Sequence, residues 1–200
     1  MQTGLFVKDF RYCIEIADKS KKADNAEVLD LNPEHVVLEF RHVSFRYPNT
    51  DKYVLKDISL TLNSKSSLSI VGVNGSGKTT MVKLLCRMYE PTQGEILLNG
   101  ININRFSYDD YIRLIGAVFQ DFKLFSFTVK ENVSLGGDCD EDQVTNALRK
   151  IGLGAKIERL PKGLDTNINK EFDSNGIEFS GGEAQKLAMA RTLCKNAPVI

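Results

Sequence analysis

The sequence lacks the features that would mark a secreted, membrane-spanning or nucleic-acid-binding chain. It contains no apolar run long enough to cross a membrane, and its N-terminus has neither the apolar stretch nor the small-residue cleavage site of a signal peptide. Lys plus Arg and Asp plus Glu each number 26, so no global basic field argues for nucleic acid or an acidic membrane surface. We therefore expect a soluble, cytoplasmic chain whose function depends on local sites.

Cysteines are few and dispersed. Cys13, Cys86, Cys139 and Cys194 are widely spaced and include no C-x-x-C pair. This pattern shows neither a disulfide framework nor a zinc site, so we expect core or surface thiols in a reducing compartment. Internal repeats and low-complexity segments are also absent, and 200 residues suit one domain with room for a subdomain.

One segment carries the strongest functional signal. Residues 72–79, GVNGSGKT, fit the phosphate-binding pattern G-x-x-x-x-G-K-[ST]. Residues 67–71 before it resemble a short buried strand, and residues 80–86 after it have helical spacing. Glycines let the loop amides point inward and the helix adds its positive end, so a di- or triphosphate is expected here. A glycine-rich turn opening an ordinary helix is the weaker alternative, and the dinucleotide fingerprint fails at Thr80.

The surrounding pattern predicts an α/β chain. Short apolar or alternating runs predict strands at 36–40, 42–47, 54–62, 95–98, 101–103 and 115–119, with a further buried strand beginning at 197–200. Between about 122 and 179 the pattern changes to short helices, one of them opened by Asp140 and Gln143 as a capping box. The acidic residues near Asp140 are expected to be a solvated helix start rather than a metal site.

A second motif lies about a hundred residues after the first. Ser180 and Glu183 alone form a capping box that opens a last helix, and the intervening glycines allow the entry turn. Together with residues 72–79, however, Phe179-Ser180-Gly181-Gly182-Glu183 resembles the signature motif of ATP-binding cassette (ABC) ATPases, whose usual form is L-S-G-G-Q. Residues 157–166 resemble the segment that exporters of this family carry between the helices of their helical subdomain.

The resemblance covers residues 35–200 and implies an α/β fold: a P-loop NTPase core sheet, an antiparallel β-subdomain and a helical signature subdomain at about 122–179. Residues 1–34 look like a helical extension from a transmembrane domain followed by a linker. In this family two ABC domains, identical or different, pair head to tail and contact a transmembrane domain. ATP and Mg²⁺ are the implied cofactors, and nucleic acid is not an implied partner.

Site roles follow from matching positions in the resemblance. Tyr47 resembles the aromatic residue that stacks on adenine, although alone it would be a core or rim tyrosine. Gln120 resembles the glutamine that links the active site to the transmembrane partner, although alone it would cap a turn. Ser180 and Gly182 would face the ATP held by the other domain. The implied phosphate contacts are Gly72, Asn74, Gly75, Ser76, Gly77, Lys78, Thr79 and Thr80; the implied metal contacts are Thr79 and Gln120; the implied catalytic contacts are Gln120, Ser180 and Gly182.

Two departures from the family pattern affect these expectations. Phe179 replaces Leu and Glu183 replaces Gln, which puts a carboxylate near a triphosphate unless the cap occupies it. We expect the motif to tolerate these two replacements. The sequence also stops at Ile200, where the family's next strand would supply a metal-positioning Asp and a catalytic Glu. The 200-residue chain is therefore not expected to hydrolyse ATP alone.

The leading functional hypothesis is the ATP-binding motor of an ABC-type exporter at the cytoplasmic face of a membrane. A soluble cassette ATPase acting on DNA or ribosomes should show basic surface and long insertions, and neither is present. A non-catalytic, ATP-gated dimerisation module is the third possibility.

Overall fold

The structure, a computed structural model, describes residues 35–64, 66–135, 139–171 and 173–200, which fall into two compact units divided between residues 115 and 116. The extension and linker predicted for residues 1–34 lie outside the described residues. Within the described part of the chain, no helix is both long and apolar enough to cross a membrane. Helices and strands occur together, as the sequence pattern predicts for an α/β chain.

Residues 35–64 and 66–115, the described part of the first unit, contain a four-stranded antiparallel sheet and two helices. The sheet has the order β2-β1-β3-β4. Its strands are β1 (Val37–Phe45), β2 (Leu55–Asn63), β3 (Gln93–Leu98) and β4 (Ile101–Asn102), and the helices are α1 (Lys78–Leu85) and α2 (Tyr108–Arg113), with a 3₁₀ turn at Ile103–Arg105. In β1, Leu38 pairs with Leu62 on one side and with Leu98 on the other, so apolar residues meet across the sheet.

The strands predicted at 36–40 and 42–47 are one strand in the structure. The pairing register of β1 shifts between Phe40 and Val43, which is the signature of a β-bulge. His42 adopts a positive φ of 51° at this point. Gly94 of β3 packs directly on the backbone of Arg41 and His42, where a Cβ atom would collide with the carbonyl oxygens. The bulge therefore explains the interrupted alternation that suggests two strands.

The strands predicted at 67–71, 115–119 and 197–200 are wrong in the structure, which assigns none of them as a strand. A buried parallel strand needs hydrogen-bonded neighbours and cover on both faces. No described strand pairs with residues 67–71, and Val71 is 93% exposed. In the second unit, one hydrogen bond from Gly116 N to Val199 O (2.7 Å) joins two of the predicted segments.

The second unit, residues 116–200, is helical. Its helices are α3 (Val129–Ser134), α4 (Glu141–Lys150), α5 (Gly154–Glu158) and α6 (Gly181–Cys194), with a 3₁₀ turn at Gly163–Asp165. Helices α3 and α4 both pack on α6, and their buried side chains share one core that includes Val129, Val133, Val144, Leu148 and Leu187. The capping boxes predicted at Asp140 with Gln143 and at Ser180 with Glu183 are confirmed, and a third joins Thr128 with Glu131.

The prediction of thiols is wrong for one pair of cysteines. Cys139 and Cys194 form a disulfide, with their Cα atoms 6.0 Å apart and a sequence separation of 55. Cys139 precedes α4 and Cys194 ends α6, so the packing of these two helices brings the cysteines together. No local spacing signals such a pair. Cys86 is buried and lies outside the disulfide, and Cys13 lies outside the described residues.

Candidate functional site

The phosphate-binding pattern forms a loop that enters α1. Gly75 and Gly77 have φ values of 81° and 93°, in the left-handed region that favours glycine. Gly77 is the N-cap of α1, and no side chain accepts a hydrogen bond from the first turn. A Cβ atom at Gly77 would lie 2.6 Å from Cδ2 of Leu55, so the loop also passes close to β2. The amides of the first turn of α1 thus have no side-chain cap, as an anion site requires.

Lys78 places a positive charge at the same loop. Its Nζ donates to the backbone oxygens of Gly72 (2.6 Å) and Val73 (2.8 Å) and lies 3.5 Å from Oγ of Ser76. The ammonium group is therefore held against the loop rather than extended into solvent. A fixed cation beside uncapped helix amides is an arrangement that binds phosphate oxygens through charge-assisted hydrogen bonds.

The structure brings Tyr47 and Thr80 together. The Tyr47 hydroxyl lies 3.0 Å from Oγ1 of Thr80, which is only 5% exposed. The Tyr47 ring also makes edge contacts with Phe45 and Tyr89, at centroid distances of 5.0 and 5.2 Å. These contacts fix the tyrosine beside α1. The other predicted phosphate contacts differ in exposure: Gly72, Asn74, Gly75, Ser76 and Thr79 are exposed, whereas Gly77 is buried.

An open cleft of about 580 Å³ adjoins Tyr47. It is lined by residues 45–51 and by Tyr89, Glu90 and Thr92, and its walls are largely polar. None of the residues 72–79 lines it. The cleft therefore provides space for a planar group beside Tyr47, and it is separate from the loop of residues 72–79.

In the second unit, the start of α6 carries the signature-like motif. The Ser180 amide and hydroxyl both donate to Oε2 of Glu183 at 3.0 Å, and the Glu183 amide donates back to Ser180 Oγ at 3.4 Å. Gly181 and Gly182 are exposed, and a Cβ atom built on either would meet nothing within 4 Å. The first turn of α6 is therefore open to a large ligand.

Glu183 has a second partner that the sequence does not signal. Nζ of Lys156 donates to Oε1 of Glu183 at 2.8 Å and lies 4.9 Å from the centroid of the Phe179 ring. The Lys156 ammonium and the two Ser180 hydrogen bonds stabilise the ionised carboxylate and lower the Glu183 pKa to about 2. Burial opposes this shift only weakly. The predicted capping box of Ser180 and Glu183 thus holds the carboxylate, and Lys156 adds charge compensation.

Gln120 lies in an exposed turn of the second unit. A hydrogen bond from Phe122 N to Phe119 O (3.3 Å) closes this turn. The segment after it is tied to α6 by two residues that sequence reasoning misses. Asn132 is fully buried, and Arg191 donates to its backbone oxygen at 2.7 Å and to its Oδ1 at 2.9 Å. Arg191 also donates to the backbone oxygen of Lys123 at 2.7 Å.

Residues for a metal ion are few. In residues 35–64, 66–135, 139–171 and 173–200, no group of three His, Cys, Asp or Glu side chains could hold one. Thr79 is exposed and carries a hydroxyl at the end of the loop of residues 72–79. Mg²⁺ characteristically keeps several waters and takes its remaining ligands from one or two protein groups and substrate phosphates. This donor set therefore fits a metal that arrives with a nucleotide.

Comparisons with known proteins place these features in a family context. The model of the family described as ABC transporter matches residues 55–200. The chain is 37% identical to the mitochondrial iron-sulfur clusters transporter ATM1 of Saccharomyces cerevisiae over 195 residues, covering 96% of this chain and 28% of that protein. It is 34% identical to the ATP-dependent lipid A-core flippase of Bordetella avium, covering 92% of this chain and 31% of that protein.

A solved structure agrees with the sequence relatives. The structure of a bacterial Atm1-family ABC exporter with ATP bound superposes with a TM-score of 0.74 and 34% identity, covering 86% of this chain and 30% of that chain. The predicted α/β fold class is confirmed by this likeness. The chain spans about 30% of the length of the proteins it matches.

Proposed function

Because this chain belongs to the ABC transporter family, we propose that it is the ATP-binding motor of an ABC-type exporter, coupling ATP binding and hydrolysis to transport across a membrane. The observation that carries the proposal is the loop of residues 72–79. There the uncapped first turn of α1, two left-handed glycines and the Lys78 ammonium lie together, which supports a phosphate site at this loop. The names of the relatives, a transporter, a flippase and an exporter, support the transport role.

Each predicted nucleotide contact in the first unit has a defined task in this proposal. Lys78 and the amides of residues 75–79 bind the phosphates, and Thr79 supplies one hydroxyl to Mg²⁺. The Tyr47 ring stacks on adenine, held in place by Thr80 and by its aromatic neighbours. The remaining predicted contacts, Gly72, Asn74 and Ser76, shape the loop around the phosphates. ATP, once bound, supplies the phosphoryl group whose transfer to water releases free energy.

The second unit of this chain acts on the ATP that a second ABC domain binds. We propose that the Ser180 hydroxyl and the open first turn at Gly182 contact the triphosphate held by the Lys78 of a second ABC domain, identical or different. Gln120 follows the movement of a transmembrane partner and contributes to the metal site. The complex works at the cytoplasmic face of a membrane. We also propose that the 200-residue chain alone binds ATP without steady turnover, because Thr79 and Gln120 by themselves neither complete a metal site nor activate water.

Calorimetric titration of the chain with ATP, ADP and AMP in the presence of Mg²⁺ tests the phosphate site. ATP and ADP should bind, whereas AMP should bind at least tenfold more weakly because it lacks the phosphates that the loop contacts. Equal affinity for ATP and AMP would contradict the proposal. Phosphate release tests the turnover claim: steady release that is lost in Lys78→Ala would show a water-activating group within these 200 residues.

A further inference from the structure

Both departures from the usual signature sequence contact the same side chain. Lys156 of α5 donates to Oε1 of Glu183 at 2.8 Å, and its Nζ lies 4.9 Å from the centroid of the Phe179 ring. The ion pair and the cation–π contact use one ammonium group. Phe179, Glu183 and Lys156 therefore form a set, although the sequence separation of Lys156 and Glu183 is 27.

The two oxygens of the Glu183 carboxylate have separate partners. Oε1 accepts from Lys156, and Oε2 accepts from the amide and hydroxyl of Ser180. The Ser180 bonds hold the carboxylate within the cap of α6 but leave its negative charge in place. Lys156 supplies the opposite charge at contact distance. With a glutamine in place of Glu183 the cap would carry no charge and would need no such cation.

We propose that Lys156 is a positioning residue for the signature motif: by pairing with Glu183 and lying over Phe179, it neutralises the charge that the motif presents to the triphosphate of a second domain. The inference rests on the proposed function, in which Ser180 and Gly182 face that triphosphate. Lys156 acts through Glu183 and need not touch ATP. Its loss should therefore weaken closure of two domains on ATP while leaving ATP binding at the Lys78 loop unchanged.

The variant Lys156→Gln tests this in the protein that carries these residues. Three quantities are measured: the affinity of the unassociated protein for ATP, the ATP-dependent association of two domains, and the ATPase activity. The ATP concentration for half-maximal association and activity should rise roughly tenfold, the order expected for one uncompensated charge near a triphosphate. The affinity of a fluorescent ATP analogue for the unassociated protein should not change. The defect should shrink as ionic strength rises from about 0.05 to 0.5 M, because salt screens the repulsion.

Lys130→Gln is the matched control. Lys130 pairs with Glu141 at 2.9 Å in the same unit, and its side chain is 39% exposed, the same fraction as that of Lys156. It lies outside the signature motif, so its loss should leave closure unchanged. The double variant Lys156→Gln/Glu183→Gln should return to within about twofold of wild type, since the charge that Lys156 balances is gone. Thermal unfolding of the same variants separates closure from folding: a role limited to folding would lower the Tm of Lys156→Gln and leave closure intact at temperatures where the variant is folded.

The outcomes separate the two proposals. Suppose that the domains of the wild-type protein associate when ATP is added. If Lys156→Gln then behaves like Lys130→Gln, or if adding Glu183→Gln does not restore closure to the Lys156→Gln variant, the role of Lys156 is disproved and the motor function stands. If the wild-type protein does not bind ATP and its domains do not associate when ATP is added, the proposed function fails and this inference fails with it.

Discussion

Arg191 holds Asn132 at two points: its Nε donates to the backbone oxygen of Asn132 at 2.7 Å, and its Nη2 donates to Oδ1 at 2.9 Å. Asn132 in turn uses its Nδ2 group to bond the backbone oxygens of Phe125 and Thr128, at 2.9 and 3.0 Å. Helix α6 is thereby fixed to the segment that follows Gln120. Burial lowers the Arg191 pKa, yet the group stays charged because guanidinium loses its proton only at very high pH.

Replacing Arg191 by Lys should lower the free energy of unfolding by about 1–3 kcal/mol, because an ammonium group cannot span the same three acceptors in one plane. Urea denaturation measures this. Arg149→Lys is the control: Arg149 pairs with Glu158 at the surface, so its replacement should cost no more than about 0.5 kcal/mol. Equal losses in the two variants would contradict the role of the Arg191 contacts.

Lys78→Ala should weaken ATP binding at least tenfold. Its ammonium makes charge-assisted hydrogen bonds to phosphate oxygens in the proposed site, each worth about 1.5–3 kcal/mol. Calorimetry on the purified chain measures the dissociation constant. Lys83→Ala removes a lysine from the last turn of the same helix and should leave affinity unchanged. An unaltered dissociation constant in Lys78→Ala would return the loop to an ordinary helix-opening turn.

Tyr47→Ala should weaken the binding of ATP and GTP alike, by about 1–3 kcal/mol, because aromatic stacking tolerates either base. Tyr47→Phe keeps the ring and its contacts with Phe45 and Tyr89 but loses the hydrogen bond to Thr80. This variant should bind both nucleotides within about threefold of wild type. If the Ala and Phe variants bind equally well, the tyrosine serves packing rather than adenine recognition.

Local patterns could be predicted from the sequence, because their residues lie within one turn or loop of each other. The capping boxes at Asp140 and Ser180 and the helix that begins at Lys78 are of this kind. The contacts of Lys156 with Glu183 and of Arg191 with Asn132 depend on how separate helices pack, because the partners have sequence separations of 27 and 59. No periodicity or spacing signals them, so only the structure reveals them.

The failed strand prediction at residues 67–71 has a different cause. Apolar, β-branched residues fit a buried strand but become one only where neighbouring strands supply hydrogen bonds and cover. Val71 is 93% exposed and Leu68 is 51% exposed in the structure. Residues 67–71, although their composition suits a buried strand, therefore form an exposed apolar segment.

This exposed segment should limit the solubility of the 200-residue chain, since exposed apolar surface promotes association. Val71→Thr keeps the β-branched shape and removes a methyl group from contact with water, so it should raise the concentration at which light scattering begins. Val43→Thr is the control, because Val43 is fully buried in β1. That change should lower the free energy of unfolding by about 1–3 kcal/mol without improving solubility. No difference in scattering between Val71→Thr and wild type would contradict the prediction.

The pH dependence of stability should report on Glu183. Its pKa is lowered from 4.5 to about 2, first by the hydrogen bond from Lys156 and then by those from Ser180. Because the folded state holds the carboxylate ionised, this stabilisation is complete above about pH 4.5 and is lost as the pH falls through about 2. The Glu183→Gln variant has no proton to take up there, so its Tm should fall less than that of wild type between pH 4.5 and 2.

Lys156→Gln sharpens this comparison, because it removes the largest cause of the low pKa while keeping the carboxylate and its Ser180 bonds. The Glu183 pKa should rise in this variant toward its ordinary value, so the acid-induced fall in Tm should be smaller than in wild type and should level off at a higher pH. Thermal unfolding followed by circular dichroism at pH 5, 4, 3 and 2 measures all three proteins. Parallel curves for wild type, Glu183→Gln and Lys156→Gln would show that neither the cap nor the ion pair holds Glu183 ionised in solution.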